Sequence, residues 1–291
     1  MEFLSYLISG ISLGSVYAII ALGYTMVYGI AKMLNFAHGD VIMVGGYVSL
    51  LAMTKVGLPV WLSILLAMVV CTILGIIIEG LAYKPLRSAP SLAVLITAIG
   101  VSYFLQNSAL LIWGAADKSY TPIINGTLKL FGGKLSIAYV SMLTVAVCIV
   151  IMIALTLFTS KSKMGKAMRA CSEDKAAAQL MGINVNRTIS TTFAIGSALA
   201  AVAGVLLCSF SPTLSPTTGS TPGIKAFTAA VFGGIGSIPG AFLGGILIGI
   251  IESLAKAYIP SLANTIVFAV LIIVLLVRPT GLLGKFVPEK V

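Results

Sequence analysis

Long stretches without a charged residue alternate with short polar or basic segments along the whole chain. A helix that crosses the hydrocarbon layer of a membrane needs roughly 20 apolar residues, and most of these stretches are long enough. The pattern therefore predicts an all-α, polytopic integral membrane protein. The uncharged stretches are residues 3–31, 41–54, 56–78, 88–116, 135–160, 188–224, 226–251 and 257–277.

Two features of the pattern indicate interrupted helices. The stretch 41–54 is short for a span and is consistent with a broken or re-entrant piece. Near residue 235 glycine and proline cluster. The loop 211–222 is expected outside and the C-terminus inside, and two complete spans between them would not allow this. A helix break near residue 235 removes the conflict. Irregular backbone in a membrane is tolerated where protein or a water-filled cavity covers it, and transporters place such breaks beside their pathways. We predict 8–10 membrane segments, with a discontinuous helix or pathway element at Gly233, Gly234, Gly236, Pro239 and Gly240.

Composition supports lipid as the main solvent of the chain. Of the 291 residues, 59% are hydrophobic and 9% are charged, with a mean hydropathy of +1.11, whereas an ordinary soluble domain is about 25% charged. The net charge of +10 fits the retention of lysine and arginine on the cytoplasmic side of membranes. It does not indicate a nucleic-acid partner.

One polar, basic segment stands out against these stretches. Residues 161–187 contain six lysines and arginines against Glu173 and Asp174, and we predict that this segment is a cytoplasmic loop of a single transmembrane domain, 1–291. The same rule places the C-terminus inside and the region 117–134 outside, although three lysines weaken the second assignment. The basic residues that indicate the inside are Lys84, Arg87, Arg278, Lys285 and Lys290. The region 117–134 is placed outside because it lies between two inside loops, and the lysines that conflict with this are Lys118, Lys129 and Lys134.

A short helix is predicted within this loop, at 173–181. Ser172 is the expected N-cap, the following acidic residues favour the helix dipole, and Ala176, Ala177 and their neighbours are strong helix formers. Gly182 follows at the position of a left-handed C-cap. A helix this short is not stable alone in water, so we expect it to pack on a partner protein and on its own membrane helices.

Several kinds of chemistry have no support in the sequence. There is no phosphate-binding loop of the Gly-x-x-x-x-Gly-Lys-Ser/Thr type, so we expect no ATPase activity in this chain. Four scattered cysteines and one histidine have no metal-site spacing, and no metal or cofactor is expected. Residues 10–14 match the nucleophile-elbow pattern, in which Ser12 would be the nucleophile of an intramembrane serine protease. Helix packing at Gly10 and Gly14 explains that pattern better.

A polar cluster follows the first stretch, at Asn35, His38 and Asp40. It is either a turn at the membrane surface, or a gate or a contact to a neighbouring subunit. Further along, Glu252 and Lys256 are spaced to pair along a helix, and Glu79 is expected in a surface position near the cytoplasmic end of its span.

Four motifs, in order along nearly the whole chain, resemble the membrane permeases of ABC importers for branched-chain amino acids, of the LivH type. They are 34–40 (LNFAHGD), 164–170 (MGKAMRA) running into 176–183 (AAAQLMGI), 232–241 (FGGIGSIPGA) and 278–284 (RPTGLLG).

The resemblance implies a fold, partners and a coupling element. The acidic-Ala-Ala…Gly element of such permeases forms a coupling helix in a cleft of the ATPase subunit, which matches Glu173 or Asp174, Ala176, Ala177 and Gly182 here. Lys175 interrupts the strict Glu-Ala-Ala order. The implied partners are ABC ATPase subunits, a second permease subunit and an extracytoplasmic substrate-binding protein, in a bacterial inner membrane. Two other functions remain open: a stand-alone secondary carrier or channel, and an ABC permease for urea or short amides.

Overall fold

A computed structural model describes residues 2–130 and 135–284 of the chain. Lys134, Lys285 and Lys290, used above for orientation, lie outside that part. Helices dominate and the strands are short, so the predicted all-α class is confirmed. The helices are α1 Glu2–Ala31, α2 His38–Thr54, α3 Val60–Ile78, α4 Ser91–Trp113, α5 Tyr139–Lys161, α6 Lys163–Glu173, α7 Lys175–Leu180, α8 Val185–Phe210, α9 Ser220–Gly233, α10 Ile238–Tyr258 and α11 Ala263–Val277; the strands are β1 Lys118–Ser119, β2 Thr127–Leu130, β3 Leu135–Ala138 and β4 Thr213–Leu214.

Seven helical segments in the described ranges are long and apolar enough to cross a membrane, which confirms the polytopic prediction. They are built on α1, α3, α4, α5, α8, α10 and α11. Two shorter helices, α2 with 17 residues and α9 with 14 residues, pack among them. The described residues thus form seven candidate spans and two shorter helices, where the sequence predicted 8–10 membrane segments.

Helices α1 and α8 form the centre of the bundle, because small residues let their neighbours approach closely. α1 runs antiparallel to α10. A Cβ added to Gly10 would lie 2.8 Å from the Cα of Ile250, and one added to Gly14 would lie 2.7 Å from the Cα of Ile246. The glycine spacing at Gly10 and Gly14 therefore serves helix packing, as predicted.

The strands hold together the loops at one end of the bundle. β1, in the loop after α4, pairs antiparallel with β4, in the loop after α8, while β2 and β3 form a hairpin before α5. Tyr120 joins this end to α2, since its hydroxyl lies 2.9 Å from the Ser49 hydroxyl. The described part of the predicted outer loop thus lies at the end of the bundle opposite α6 and α7.

Glu79 directly follows α3, as predicted, but the prediction that it occupies a surface position is wrong. α3 continues as a π-helical turn, Glu79–Tyr83, which turns the Glu79 carboxylate toward α8. The residue is 2% exposed, accepts a hydrogen bond of 2.6 Å from the Ser190 hydroxyl and forms an ion pair with Arg87. Glu79 is therefore a buried tie between two helices.

Candidate functional site

The basic loop folds into α6 and α7, which meet at Asp174. The Ser162 hydroxyl caps α6 by accepting from the Gly165 amide. The Asp174 carboxylate caps α7, accepting from the Ala176 amide at 2.8 Å and the Ala177 amide at 3.0 Å. The prediction of Ser172 as the N-cap is wrong, because that residue is still inside α6 and its hydroxyl bonds to a carbonyl one turn back.

The end of α7 matches the prediction. Gly182 has a φ of +81°, the left-handed conformation that ends many helices. Its amide donates to the Gln179 carbonyl and the Ile183 amide donates to the Ala178 carbonyl, both at 3.0 Å. Both ends of this short helix are therefore fixed by local hydrogen bonds.

The tip of α7 presents apolar side chains to the exterior of the chain. Leu180 is 88% exposed and Met181 is 83% exposed. Ala176 and Ala177 are also exposed, whereas Ala178 is buried. Large exposed apolar side chains in a basic, polar loop are typical of a protein-interaction surface. We call Leu180 and Met181 the α7 tip.

The base of the loop packs on the end of α1. Met26 and Ile30 of α1 form a small apolar cluster with Met168 and Cys171 of α6 and with Ala178 of α7. This cluster is one of the contacts through which the α6–α7 loop packs on α1.

Lys175 adds a polar tie at the same place. Its ammonium donates a hydrogen bond of 2.8 Å to the Ala31 carbonyl, on the last residue of α1. Burial lowers the pKa of Lys175, and the nearby charge of Arg87 lowers it further. The residue that interrupts the Glu-Ala-Ala order thus joins α7 to α1.

A second polar region lies inside the bundle, where α2 and α9 begin. His38, the first residue of α2, contacts Gly23 of α1 so closely that a Cβ on Gly23 would lie 2.6 Å from His38 Cε1. Gly23 is eight residues before Ala31, the last residue of α1, which is about 12 Å along a helix. α2 therefore begins near the middle of the bundle.

The start of α9 meets the start of α2 at this depth. A Cβ on Gly39 would lie 2.7 Å from the Gly219 carbonyl oxygen, and one on Gly223 would lie 3.0 Å from the Gly39 Cα. Glycine at these positions lets the two helix starts touch backbone to backbone. We call this contact, between residues 38–40 and 219–223, the central junction.

Polar side chains surround the central junction. Gln106 of α4 donates to Asp40 Oδ1 at 3.0 Å, and the same amide lies 3.2 Å from both the Ser102 and the Ser220 hydroxyls. Asp40 Oδ2 and His38 Nε2 are buried without a hydrogen-bond partner.

Aromatic rings lie on the α6–α7 side of the central junction. The ring centroid of Tyr24 is 4.7 Å from that of His38 and 5.8 Å from that of Phe227, and Phe36 is 5.5 Å from Phe227. The cleft beside Tyr24 and Phe227 is too narrow for a water molecule. These rings pack between the central junction and the α6–α7 end of the bundle.

The interpretation of Asn35, His38 and Asp40 as a membrane-surface turn is wrong. They are 4%, 1% and 1% exposed, because the segment after α1 folds back into the bundle before α2 begins. Asn35 accepts a hydrogen bond of 2.9 Å from the Tyr83 hydroxyl. Their role as a gate or a subunit contact stays a prediction.

The predicted pair of Glu252 and Lys256 is present at 2.7 Å, but it is part of a larger group. Lys225 of α9, 4% exposed, also lies 2.7 Å from Glu252. The Tyr17 hydroxyl donates to the second carboxylate oxygen at 2.9 Å. The Glu252 carboxylate thus joins α1, α9 and α10. The sequence signal for this group was Lys225, the single charge between the uncharged stretches 188–224 and 226–251.

The predicted helix break is confirmed, whereas its role as a pathway element stays a prediction. α9 ends at Gly233 and α10 begins at Ile238, and Gly234 and Gly236 have φ of +102° and +97°. The break lies beside Gly29, near the end of α1, and not at mid-depth, because α10 is a full-length span. Pro239 and Gly240 open α10, where Ser237 caps the Gly240 amide.

The last described segment packs on this break. The Leu282 and Leu283 amides donate to the carbonyls of Phe232 and Gly233, both at 2.9 Å. Two motifs that are far apart in sequence, 232–241 and 278–284, therefore form one structural unit at the α6–α7 end.

The serine-protease interpretation has no geometric support. The Ser12 hydroxyl bonds to the Ile8 carbonyl one turn back, and His38 contacts α1 at Gly23. Ser12 and Gly23 are eleven residues apart on one helix, which is about 16 Å. His38, the single histidine of the sequence, is thus out of hydrogen-bond reach of Ser12.

The structure groups the predicted site residues into three separate places. Glu173, Asp174, Ala176, Ala177 and Gly182 lie in the α6–α7 loop, the glycines of the break lie beside the end of α1, and His38 and Asp40 lie at the central junction. Sequence reasoning missed Lys175, the α7 tip and Gln106, because their positions depend on contacts between distant segments.

Comparison with known proteins identifies the chain's relatives. Residues 6–276 match the family model described as "Branched-chain amino acid transport system / permease component". The chain is 47% identical to the high-affinity branched-chain amino acid transport system permease protein LivH of Escherichia coli K12, over 100% of this chain and 98% of that protein. It is 45% identical, with the same coverage, to the permease protein BraD of Pseudomonas aeruginosa.

A solved structure, PsaBC from Streptococcus pneumoniae in complex with Fab, aligns over 95% of this chain and 91% of that chain, with 14% identity and a TM-score of 0.49. The match of residues 6–276 to the family model and the full-length matches to the LivH and BraD permeases decide the classification. The chain belongs to the family of permease components of branched-chain amino acid transport systems.

Proposed function

We propose that this protein is the membrane-spanning permease subunit of an ABC importer, which moves branched-chain amino acids across a bacterial inner membrane. ATP is hydrolysed in separate ATPase subunits that dock on the α6–α7 loop. The remaining partners are a second permease subunit and an extracytoplasmic binding protein that selects the substrate.

The α7 tip is the observation that carries this proposal. Leu180 and Met181 are almost fully exposed at the end of a helix capped on both sides. Such a rigid apolar projection fits a cleft in a partner protein. Asp174, Ala176, Ala177 and Gly182 shape this helix, and Glu173 ends the helix before it, so the predicted coupling residues belong to one docking element.

The contacts of the loop give a route for mechanical coupling. A displacement of α7 acts on α1 through the Lys175–Ala31 hydrogen bond and the cluster around Met168. α1 in turn carries Tyr24, which contacts His38 at the central junction. Motion imposed on the loop by the ATPase is thereby transmitted to the aromatic rings beside the central junction.

The charges at the α6–α7 end support its cytoplasmic location. This end carries most of the basic residues of the loop together with Lys84 and Arg87, in agreement with the excess of lysine and arginine on cytoplasmic loops. Arg278 follows α11, whose preceding helix begins beside the end of α1. We therefore place the C-terminus in the cytoplasm as well.

Reconstitution in liposomes tests this function. The chain is inserted alone, or with the ATPase, second permease and binding protein that co-purify with it from the native membrane, and the uptake of radiolabelled leucine is measured. We expect uptake only in the full assembly with ATP on the α6–α7 side, without competition from urea or acetamide. Leucine flux through the chain alone would show a stand-alone carrier or channel and contradict the proposal.

A further inference from the structure

Asp40 is a buried carboxylate without a cation. Asp40 is 1% exposed. One of its carboxylate oxygens, Oδ1, accepts a hydrogen bond from Gln106, and the other, Oδ2, has no hydrogen-bond partner. In the part of the chain that the structure describes, the ion pairs involve Glu79 and Glu252 and none involves Asp40.

The start of α2 partly offsets the cost of burying a negative charge at Asp40. Asp40 lies in the first turn of α2, where the helix dipole stabilises a carboxylate. An ionised group inside a membrane protein otherwise requires a partner of opposite charge. The buried Lys225 is not available to it, because its ammonium is held by Glu252.

The surroundings of Asp40 open toward one face of the bundle. Ser102, Gln106 and Ser220 are half-buried, and Thr217 and Thr221 beside them are exposed. Gln106 and Ser220, which are half-buried, thus link the buried Asp40 carboxylate by hydrogen bonds to the exposed side of α4 and α9.

We propose that Asp40, with Ser102, Gln106 and Ser220, forms a binding site at the central junction for the ammonium group of the transported amino acid. This inference rests on the proposed function, because it assigns the place where the permease holds its substrate. The ammonium supplies the positive charge and the hydrogen-bond donor that Asp40 Oδ2 lacks, and the hydroxyls accept its remaining hydrogens.

The location suits a transport site. The aromatic rings of Tyr24, Phe36 and Phe227 lie directly on its α6–α7 side and separate it from the cytoplasmic end. Opening of these rings would release a solute held at Asp40 into the cytoplasm.

Binding of small ligands to the complete, nucleotide-free complex without its binding protein tests the site. Saturation-transfer NMR detects weak binding of leucine, of isopentylamine, which lacks the carboxylate, and of 4-methylpentanoate, which lacks the ammonium. We expect leucine and isopentylamine to compete with each other, and 4-methylpentanoate not to compete. Asp40→Asn is expected to weaken both ammonium ligands about tenfold or more, since it removes a charged hydrogen-bond acceptor.

Asp117→Asn, the same change at an exposed carboxylate, serves as the matched control and is expected to bind as the wild type does. If Asp40→Asn fails to assemble, Gln106→Met, which removes the amide contact to Asp40 but keeps the side-chain length, is expected to weaken ammonium binding as well. Unchanged binding by the assembled variants, or equal competition by 4-methylpentanoate, would overturn the site.

Leucine uptake separates failure of the site from failure of the proposed function. We expect the assembled Asp40→Asn complex to hydrolyse ATP in response to its binding protein and to lose about tenfold or more of its leucine uptake. If the wild-type complex imports leucine and Asp40→Asn imports it equally well, only the site is wrong. A wild-type complex that imports no branched-chain amino acid would contradict the function itself.

Discussion

Lys175 is the residue that connects the docking loop to the membrane helices. Its ammonium donates to the carbonyl of Ala31, at the end of α1. The last carbonyls of a helix have no amide donor within their own helix. A lysine at the C-terminus of a helix is also favoured by the helix dipole. The contact therefore stabilises one arrangement of α7 relative to α1.

Lys175→Gln removes the charge from this contact. We expect ATP hydrolysis and assembly with the ATPase to remain, and leucine uptake per ATP to fall several-fold, because movement of α7 no longer acts fully on α1. The measurement compares hydrolysis and uptake in the same liposomes. Lys166→Gln, a change at an exposed lysine of α6, is the control, and equal coupling in both variants would contradict this role of Lys175.

The sequence predicts residue roles well where the partner is local. Gly182 ends α7 as expected, because a positive φ and the hydrogen bonds of its own turn decide that conformation. The partner of Lys175 is 144 residues away in sequence, and no local pattern indicates it. The wrong N-cap has a local cause: Ser172 and Asp174 are both good capping residues, and α6 extends far enough to include Ser172.

At the scale of elements, two helices that begin inside the bundle organise the interior. α2 and α9 start at the central junction, and α9 is held there by its ion pair with α10. Helix starts at mid-depth expose backbone amides, which is tolerable only inside protein or beside a cavity. This arrangement concentrates polar groups where the surrounding helices are apolar.

Glu252→Gln tests how strongly α9 depends on this ion pair. The change leaves the Lys225 ammonium buried without a full counter-charge, which costs about 3–5 kcal/mol in comparable cases. We expect a clear drop in the thermal unfolding temperature of the purified protein in detergent. The double variant Lys225→Met with Glu252→Leu removes both charges and is expected to recover most of that loss.

An unfolding temperature of Glu252→Gln equal to that of the wild type would show that the pair does not hold α9. A double variant no more stable than Glu252→Gln would show that packing around the pair, and not its charge, was lost.

The elements were predictable to the extent that their signals lie along the chain. The uncharged stretches predicted the long spans, and the glycines at 233–240 predicted the break between α9 and α10. The depth of the break and the return of residues 32–37 into the bundle were not predictable, because they depend on which helices pack together. The stretch 41–54, short for a span, did indicate that α2 differs from its neighbours.

At the scale of the whole molecule, the two ends of the bundle have different roles. One end is tied together by paired strands between loops. The other carries the basic α6–α7 loop and the unit formed by residues 232–241 and 278–284. Between them lies the central junction, with aromatic rings on its α6–α7 side, so the proposed ammonium site and the proposed docking surface are separate parts of the molecule.

The α7 tip should be the surface through which the whole molecule is driven. Replacing Leu180 and Met181 together by glutamate places two charges where an apolar contact with the ATPase is expected, while both side chains make little contact within the chain. Val56→Glu, an exposed apolar residue near the opposite end, is the matched control. Thermal unfolding of the purified permease should be the same in all three proteins.

The decisive measurement is co-purification of the ATPase together with ATP-driven leucine uptake for Leu180→Glu/Met181→Glu and for Val56→Glu. We predict that the double variant loses both the ATPase and the uptake, and that Val56→Glu keeps both. A double variant that retains its ATPase and imports leucine at the wild-type rate would contradict docking of the motor at this helix.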